Sequence, residues 1–442
     1  MKITPSSLVL YIAVASVPFD FAVTLGVVRA TPTELLFSLA MVLWLWRSGR
    51  ASKPMEFAPY FMPLLFFLGA CLLSLLAAQN RFVALRETVQ FAWLFGLFYF
   101  VAHEIREPRE TLTLWSLLLV AGLVVAGVGI YQYFLVREPI HFLIAETRLR
   151  AHGVHDQPNS FGNYLIGVIP LLFGFYFLAD TLAPSVHERR GWVGKIFLNK
   201  RVIVALLFIL STALVATFSR GSWVGLGFGA VTLYFLLKGK IRHASLVLLP
   251  GVIGIAATLV IGDLSRQPRH TGRSFSNKQR AELLKAAIQM ARDHPWLGIG
   301  FGNFPDRLPE YTSPELMQMM KLDYDPIKKE WFLNPNKKPD IEIVHNTLVQ
   351  VAAETGLFGM AAFVWLFVVY YRRALKLLRE AVEQKEYCIR ATALAGATAI
   401  LCSGMFGWPF SHGVQEVLIV TMAIAVANER SLSSMKNTLG VT

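Results

Sequence analysis

The chain has 442 residues, of which 55% are hydrophobic and only 16% charged, with a formal net charge of +13. So low a charged fraction excludes a soluble multidomain protein. The basic excess follows the loops between apolar stretches, which makes it a topology signal rather than a nucleic-acid surface.

A helix crossing the hydrocarbon core of a bilayer needs about 20 apolar residues. About twelve such stretches are predicted near 8–28, 31–46, 59–78, 82–102, 112–136, 158–179, 201–218, 222–237, 241–262, 346–371, 391–406 and 408–427. The fold class is therefore all-α and polytopic, with a large, partly helical loop between the ninth and tenth spans. Residues 1–262 hold nine helices, 263–345 the loop, 346–428 three more helices and 429–442 a tail. The first stretch lacks a small-residue cleavage site and runs into VPFD, so it is read as a retained helix. Asp20, Arg86 and Glu87 fall in or beside spans and are expected to pair with other buried groups. Cys71, Cys388 and Cys402 have the spacing of neither a zinc site nor a disulfide framework.

With the N-terminus inside, the inner segments carry 22 Lys and Arg and the short outer loops carry 6, while 263–345 holds 13. Short loops set orientation and long ones are discounted, so both termini are expected in the cytoplasm and the long loop outside. Within that loop, Ser276 and Gln279 fit a capping box. Leu283, Leu284, Ala287, Ile288 and Ala291 form an apolar helical stripe, which Pro295 and Gly298 stop. Arg280 lies on that stripe, four residues before Leu284, where a guanidinium needs an anionic partner: either a structural ion pair or a ligand. The stretch 305–340 reads as irregular. Its Asp323-Tyr-Asp325 has the spacing of some metal-binding transferase motifs, but a solvated acidic turn is the simpler reading.

Even-numbered spans begin on the outer face in this topology. The sixth follows His-Asp-Gln-Pro-Asn (155–159), the eighth follows Ser-Arg-Gly-Ser (219–222), and the tenth follows Val-His-Asn (344–346). Helix N-termini present free N–H groups and partial positive charge, which suits anions. Arg150 and Arg220 stand at two of these starts, and Arg280 can descend from the loop, so the expected ligand is a polyanionic head group gripped by guanidinium forks. His345 is the candidate proton acceptor. A histidine at a helix end is more often a satisfied polar contact, but Val349, Ala352, Gly356 and Gly359 follow on its face of an ideal helix and leave a small-residue groove below it. Asn159, Asn346 and Glu354 are supporting residues. Glu354 falls on the face opposite His345 and reads as a partner within the bundle. His152 and His155 have i, i+3 spacing but no carboxylate cluster to make a metal site of them.

About twelve spans, Ser-Arg-Gly opening the eighth, an Arg…Asp-His-Pro-Trp-Leu-Gly-Ile-Gly-Phe-Gly-Asn-Phe stretch in the long loop and His-Asn-Thr-Leu-Val-Gln-Val-Ala-Ala-Glu-Thr-Gly-Leu-Phe-Gly together resemble the O-antigen ligase and polymerase superfamily. The chain looks most like the lipopolysaccharide O-antigen ligases, with the motifs confined to about 150–360. The resemblance implies an inner-membrane glycosyltransferase with a periplasmic active site. It would move a glycan from undecaprenyl diphosphate to a sugar hydroxyl of the lipid A core, inverting the anomeric centre, with no metal and no cofactor. It also implies that Arg220 and Arg280 hold the diphosphate while His345 activates the acceptor hydroxyl. The partners are then the lipid-linked donor, the lipid A-core acceptor and membrane lipids, and no nucleic acid. An O-antigen polymerase or a protein O-oligosaccharyltransferase would use the same donor. An anion transporter remains as a reading of another class, although transporters place broken polar segments at the bilayer midplane, often in matched repeats, and here the polar motifs cluster at span ends with no repeat.

Overall fold

The computed structural model describes residues 4–19, 23–25, 28–50, 59–105, 107–138, 143–144, 148–186, 199–238, 244–249, 252, 271–313, 323–325, 330–332, 343–411 and 413–427. The ninth predicted span has only 244–249 and 252 among these, with a short 3-10 helix at Ala244–Leu248, and Asp20 and the tail lie outside them. The helices are α1 (Pro5–Ser16), α2 (Pro32–Arg50), α3 (Phe61–Ser74), α4 (Arg81–Glu104), α5 (Pro108–Leu135), α6 (Pro158–Val186), α7 (Lys200–Ala216) and α8 (Arg220–Leu237). They continue as α9 (Thr271–Asp293), α10 (Phe304–Arg307), α11 (Thr347–Glu380), α12 (Gln384–Ser403) and α13 (Val414–Val426). Three antiparallel two-stranded hairpins interrupt them: β1 (Val23–Leu25) with β2 (Val28–Ala30), β3 (Leu143–Ile144) with β4 (Arg148–Leu149), and β5 (Asp323–Asp325) with β6 (Glu330–Phe332).

Each predicted span except the ninth thus has a helix, although the first, expected over 8–28, is helical over Pro5–Ser16 and gives way to the β1–β2 hairpin. Among the described residues, three helical segments (Pro108–Leu135, Pro158–Ala179 and Thr347–Glu380) are long and apolar enough to cross a membrane by length and composition, while α1, α3 and α13 are shorter apolar helices. The large exposed hydrophobics, among them Val42, Phe66, Phe82, Phe208, Phe235 and Phe358, lie on helices, as expected where lipid replaces water. This is a helical membrane protein.

Two packing units meet at one end of the bundle. In the first, α12 packs on α6 and α8 through small residues. A Cβ on Gly225 would lie 2.5 Å from the Ala399 carbonyl oxygen and one on Gly229 2.9 Å from that of Ala395, so the two backbones nearly touch. In the second, α3 and α9 pack on α11. Phe67, Phe91, Phe301, Phe363 and Phe410 interlock in tilted and edge-on pairs that join α3, α4, α11 and the loop. Leu283, Ala286, Ala287, Met290, Ile299, Phe304, Leu308, Val344 and Ala353 form a separate small core beneath the long loop. At the opposite end, buried Glu104 accepts hydrogen bonds from Thr4, Ser6 and Arg47, which ties α1, α2 and α4 together.

Several expectations are corrected. Helix α9 begins at Thr271, so Ser276 and Gln279 lie inside it and do not cap it. The stretch 305–340 is not wholly irregular: it holds most of α10, the turn Leu308–Glu310 and the β5–β6 hairpin, in which Asp325 pairs with Glu330. Arg86 and Glu87 pair with each other at 2.7 Å, and Arg86 is exposed, because both sit one turn into α4 rather than at its middle. Helix α11 is broken at Gly356 (φ 72°, ψ −176°), so the regular face that was to carry a small-residue stripe from His345 to Gly359 ends there.

Candidate functional site

The end of the bundle that carries the long loop collects the starts of α6, α8 and α11 and the end of α12. At α8, the turn before Arg220 is built from short polar side chains. Thr217 Oγ1 donates to Leu214 O (2.7 Å) and accepts from Ser219 N (3.1 Å). Ser222 Oγ donates to Asn163 Oδ1 of α6 at 2.8 Å and lies 2.8 Å from Ser219 Oγ. Phe218 is forced to φ 54°, which leaves Arg220 exposed as the first residue of α8.

At α11, Asn346 caps the helix, its Oδ1 accepting from Val349 N at 3.1 Å. Thr347 stitches this start to the end of α12: its N–H donates to Gly404 O (3.0 Å), and its hydroxyl lies 2.9 Å from Gly404 O and 3.2 Å from Gly407 O. Between the loop and this cap stands His345 at φ 60°. Phe218 and His345 are the two non-glycine residues with positive φ among those described, and each lies within two residues of a helix start at this end. Such backbone costs about 1–3 kcal/mol and persists only where the surroundings impose it.

The third component descends on α9. Arg280 sits one turn before Leu283, half-buried at the edge of the small core over α11, and lies within electrostatic reach of both Arg220 and His345. Burial, and secondarily Arg220, pulls the Arg280 guanidinium below its ordinary range. No hydrogen bond or ion pair links Arg280 to any described residue. Burial and then the Arg280 charge push the His345 imidazole down to about 4, so the ring is neutral at physiological pH and able to accept a proton. Two guanidinium groups within electrostatic reach of each other, beside a neutral imidazole, can form an anion site with a base at its edge.

Arg150, placed with the anion ligands by sequence, donates from Nε to Thr217 O (2.9 Å) and from Nη2 to Asn159 Oδ1 (3.1 Å). It therefore braces the start of α6 against the turn that presents Arg220. His152 and His155 do not form a side-chain pair. One ring nitrogen of His152 meets the main-chain oxygen of His155 at 3.0 Å, and the buried His155 ring stacks on Phe161. Among the described residues no group of three His, Cys, Asp or Glu side chains could hold a metal ion.

The loop is locked to the break in α11 by backbone crossing. Ile299 N donates to Ala353 O, Gly300 N to Glu354 O and Leu357 N to Pro295 O, at 3.0, 3.0 and 2.8 Å. A Cβ at Gly298 would lie 2.3 Å from the Glu354 carbonyl carbon, and one at Gly356 2.3 Å from Trp296 O, so both positions need glycine. Asn303 extends the lock to the α3–α4 turn, exchanging hydrogen bonds with the main chain of Asn80 at 2.6 and 3.2 Å. Beside the crossing lies an apolar groove of about 450 Å³ lined by Met62, Phe66, Leu73, Trp296, Phe358 and Ala362. Sequence reasoning missed Thr217, Thr347 and Gln350. The only signal for them was polarity at positions flanking the helix starts, which is also what an ordinary cap looks like.

Residues 205–364 match the family model described as O-antigen ligase, a stretch that contains Arg220, Arg280, His345 and Glu354 but neither Arg150 nor Asn159. The chain is also similar to the teichuronic acid biosynthesis protein TuaE of Bacillus subtilis (strain 168), 23% identical over 333 residues. That alignment covers 69% of this chain and 60% of the relative, so the chain spans less than two thirds of the relative's length.

Proposed function

We propose, from the O-antigen ligase family segment that the chain carries over 205–364, that the protein is a membrane glycosyltransferase that takes a glycan from a lipid diphosphate. The observation that carries this reading is the meeting of Arg220, Arg280 and His345 at one end of the bundle, with no carboxylate among the described residues paired to Arg280. A diphosphate supplies the missing anion, and its charge grows as the glycosyl bond breaks, where fixed guanidinium groups contribute most. The acceptor oxygen attacks the anomeric carbon from the face opposite the diphosphate. The glycosyl C–O bond breaks with its electron pair going to the diphosphate, and the acceptor's proton passes to His345. A positioned base of this kind typically contributes about 10²–10⁴-fold. The groove beside the loop crossing offers apolar surface to the lipid chain of a substrate.

The donor we infer is an undecaprenyl-diphosphate-linked glycan, handled at the periplasmic face of the inner membrane with both termini cytoplasmic, as the Lys and Arg asymmetry indicates. For the acceptor, a sugar hydroxyl of the lipid A core is the first reading, which makes the protein an O-antigen ligase. A polymerase, using a growing glycan as acceptor, is the second. It is favoured by the similarity to TuaE, a protein named for its part in teichuronic acid biosynthesis.

The test is transfer from purified donor in the presence of rough lipopolysaccharide, or without it. Donor-dependent labelling of lipopolysaccharide supports the ligase reading, and a ladder of lengthened lipid-linked glycans supports the polymerase. Arg220→Ala and Arg280→Ala are expected to weaken donor use. His345→Ala is expected to keep donor binding and abolish transfer. A folded His345→Ala variant that transfers at the wild-type rate would overturn the mechanism.

A further inference from the structure

Glu354 is a carboxylate 1% exposed to solvent, and the chemistry above does not use it. It lies on the segment of α11 between the His345 cap and the Gly356 break. Its carboxylate accepts from Gln350 Nε2 at 3.3 Å and lies near the main-chain N–H groups of Gly302 and Phe304 in the loop, whose dipoles favour its charge. Gln350 is itself buried, and its other amide atom, Oε1, accepts from Val344 N at 3.2 Å. Val344 immediately precedes His345. Hydrogen bonds therefore run from Glu354, which lies against the loop, through Gln350 to the peptide that holds the strained histidine.

The same carboxylate controls the second component of the site. Phe304, whose N–H lies near it, is fully buried in the small core with Leu283, Ala286, Ala287 and Met290 of α9. Arg280 stands one turn earlier on that helix. An unsatisfied carboxylate would be costly in a buried place, so Glu354 depends on Gln350 and on the loop peptides beside it.

We propose that Gln350 and Glu354 are positioning residues: a buried relay that sets the main chain at His345 and the α9 arm carrying Arg280 in one fixed relation. The inference rests on the reading of Arg280 as a diphosphate ligand and of His345 as the base. The relay acts by geometry and not by charge or proton transfer, since Glu354 reaches the peptide before His345 only through the Gln350 amide.

The experiment measures donor KM and kcat in nanodiscs for Glu354→Gln, Glu354→Ala, Gln350→Ala, Arg280→Ala and the Glu354→Ala/Arg280→Ala double variant, with undecaprenyl diphosphate binding alongside. Glu354→Gln keeps an oxygen that can accept from Gln350 Nε2, so Gln350 need not turn and its Oε1 stays on Val344 N. This variant is expected to stay within about threefold of wild type, a rescue that a proton-transfer role would not allow. Glu354→Ala is expected to raise donor KM and lower kcat by about tenfold each, since misplacement by about 1 Å can cost 10²-fold in all. In the Arg280→Ala background its effect on donor KM should vanish while its effect on kcat persists. Gln350→Ala, which frees only Val344, should lower kcat and leave donor KM unchanged. It also serves if Glu354→Ala does not accumulate in the membrane. Glu354→Gln as impaired as Glu354→Ala, fully additive KM effects, or an unchanged kcat in Gln350→Ala would each overturn the relay. If Arg280→Ala alone leaves donor KM unchanged, the diphosphate reading falls instead. The relay is then judged by amide exchange of 343–349 and 299–308, which Glu354→Ala must accelerate if it is correct.

Discussion

Replacing Gly356 by alanine tests the loop lock directly. Gly356 has φ 72° and ψ −176°, a region open to glycine alone, and a Cβ there would lie 2.3 Å from the Trp296 carbonyl oxygen. That oxygen cannot retreat cheaply, because the neighbouring Pro295 O accepts from Leu357 N and the flanking N–H groups of Ile299 and Gly300 are bonded to Ala353 and Glu354. Strain contributes about 1–3 kcal/mol, and the three crossing hydrogen bonds about 1 kcal/mol each if they open. The lock is thus expected to weaken by about 4–6 kcal/mol, and at 1.4 kcal/mol per factor of ten the open form becomes at least about 700-fold more populated. Amide exchange of peptides spanning 295–304, read by mass spectrometry in nanodiscs, should accelerate by that factor, because exchange follows local opening. Gly127→Ala is the control. Nothing lies within 4 Å of its Cβ on α5, and a helix-interior Gly→Ala change there should be neutral or slightly stabilising. A Gly356→Ala variant whose loop exchanges within about threefold of wild type would refute the crossing as a lock.

His345 has its folded pKa at about 4, below its ordinary value, because of burial first and Arg280 second. The unfolded chain then binds more protons between those two values, so stability is lost as pH falls through that window. The acid limb of kcat/KM against pH should lie near 4 and move upward in Arg280→Ala, stopping short of the ordinary histidine range because burial remains; an unmoved limb would separate the two residues. Lysine at Arg220 or Arg280 should restore donor KM only in part, since a point charge cannot reproduce the bidentate fork, and full restoration would speak against phosphate contacts by both. Thr347→Val removes the hydroxyl contacts to Gly404 and Gly407 but keeps the N–H bond, and should lower kcat severalfold with donor binding intact; at about 1 kcal/mol per hydrogen bond, folding should survive. Transfer is expected to persist in EDTA, and a loss restored by Mg²⁺ would make Asp323 and Asp325 ligands.

Much of this site was legible because its residues break a simple rule. Arg220, Arg280 and His345 are polar groups where an apolar pattern demands hydrocarbon, so each announces itself in the sequence. Counting helix starts on alternate sides led to the expectation that Arg220 and His345 share a face, with Arg280 descending from the loop. The break at Gly356 was not legible, because it depends on a backbone 58 residues away in the chain (Gly298) approaching to within contact. A glycine inside an apolar helix carries no mark of what crosses it. The start of α9 was misplaced for the opposite reason: Ser276 and Gln279 satisfy a local capping pattern, and the helix simply runs through it. Nothing in the charge of Arg150 announced that its guanidinium also holds Thr217 and Asn159.

The near-contact of α8 with α12 bears on how the protein comes to exist in the membrane. Hydrocarbon does not drive helices together, so close backbone approach must do so, and α8 finds its closest partner in a helix made some 150 residues later. During synthesis the arginine that opens α8 is therefore already inserted while the surface that will fix its helix is still untranslated. The end of α12 also supplies Gly404, to which the segment beside His345 is stitched. A chain interrupted after Glu380 would carry Arg220, Arg280 and His345 and still have nothing to hold them in register.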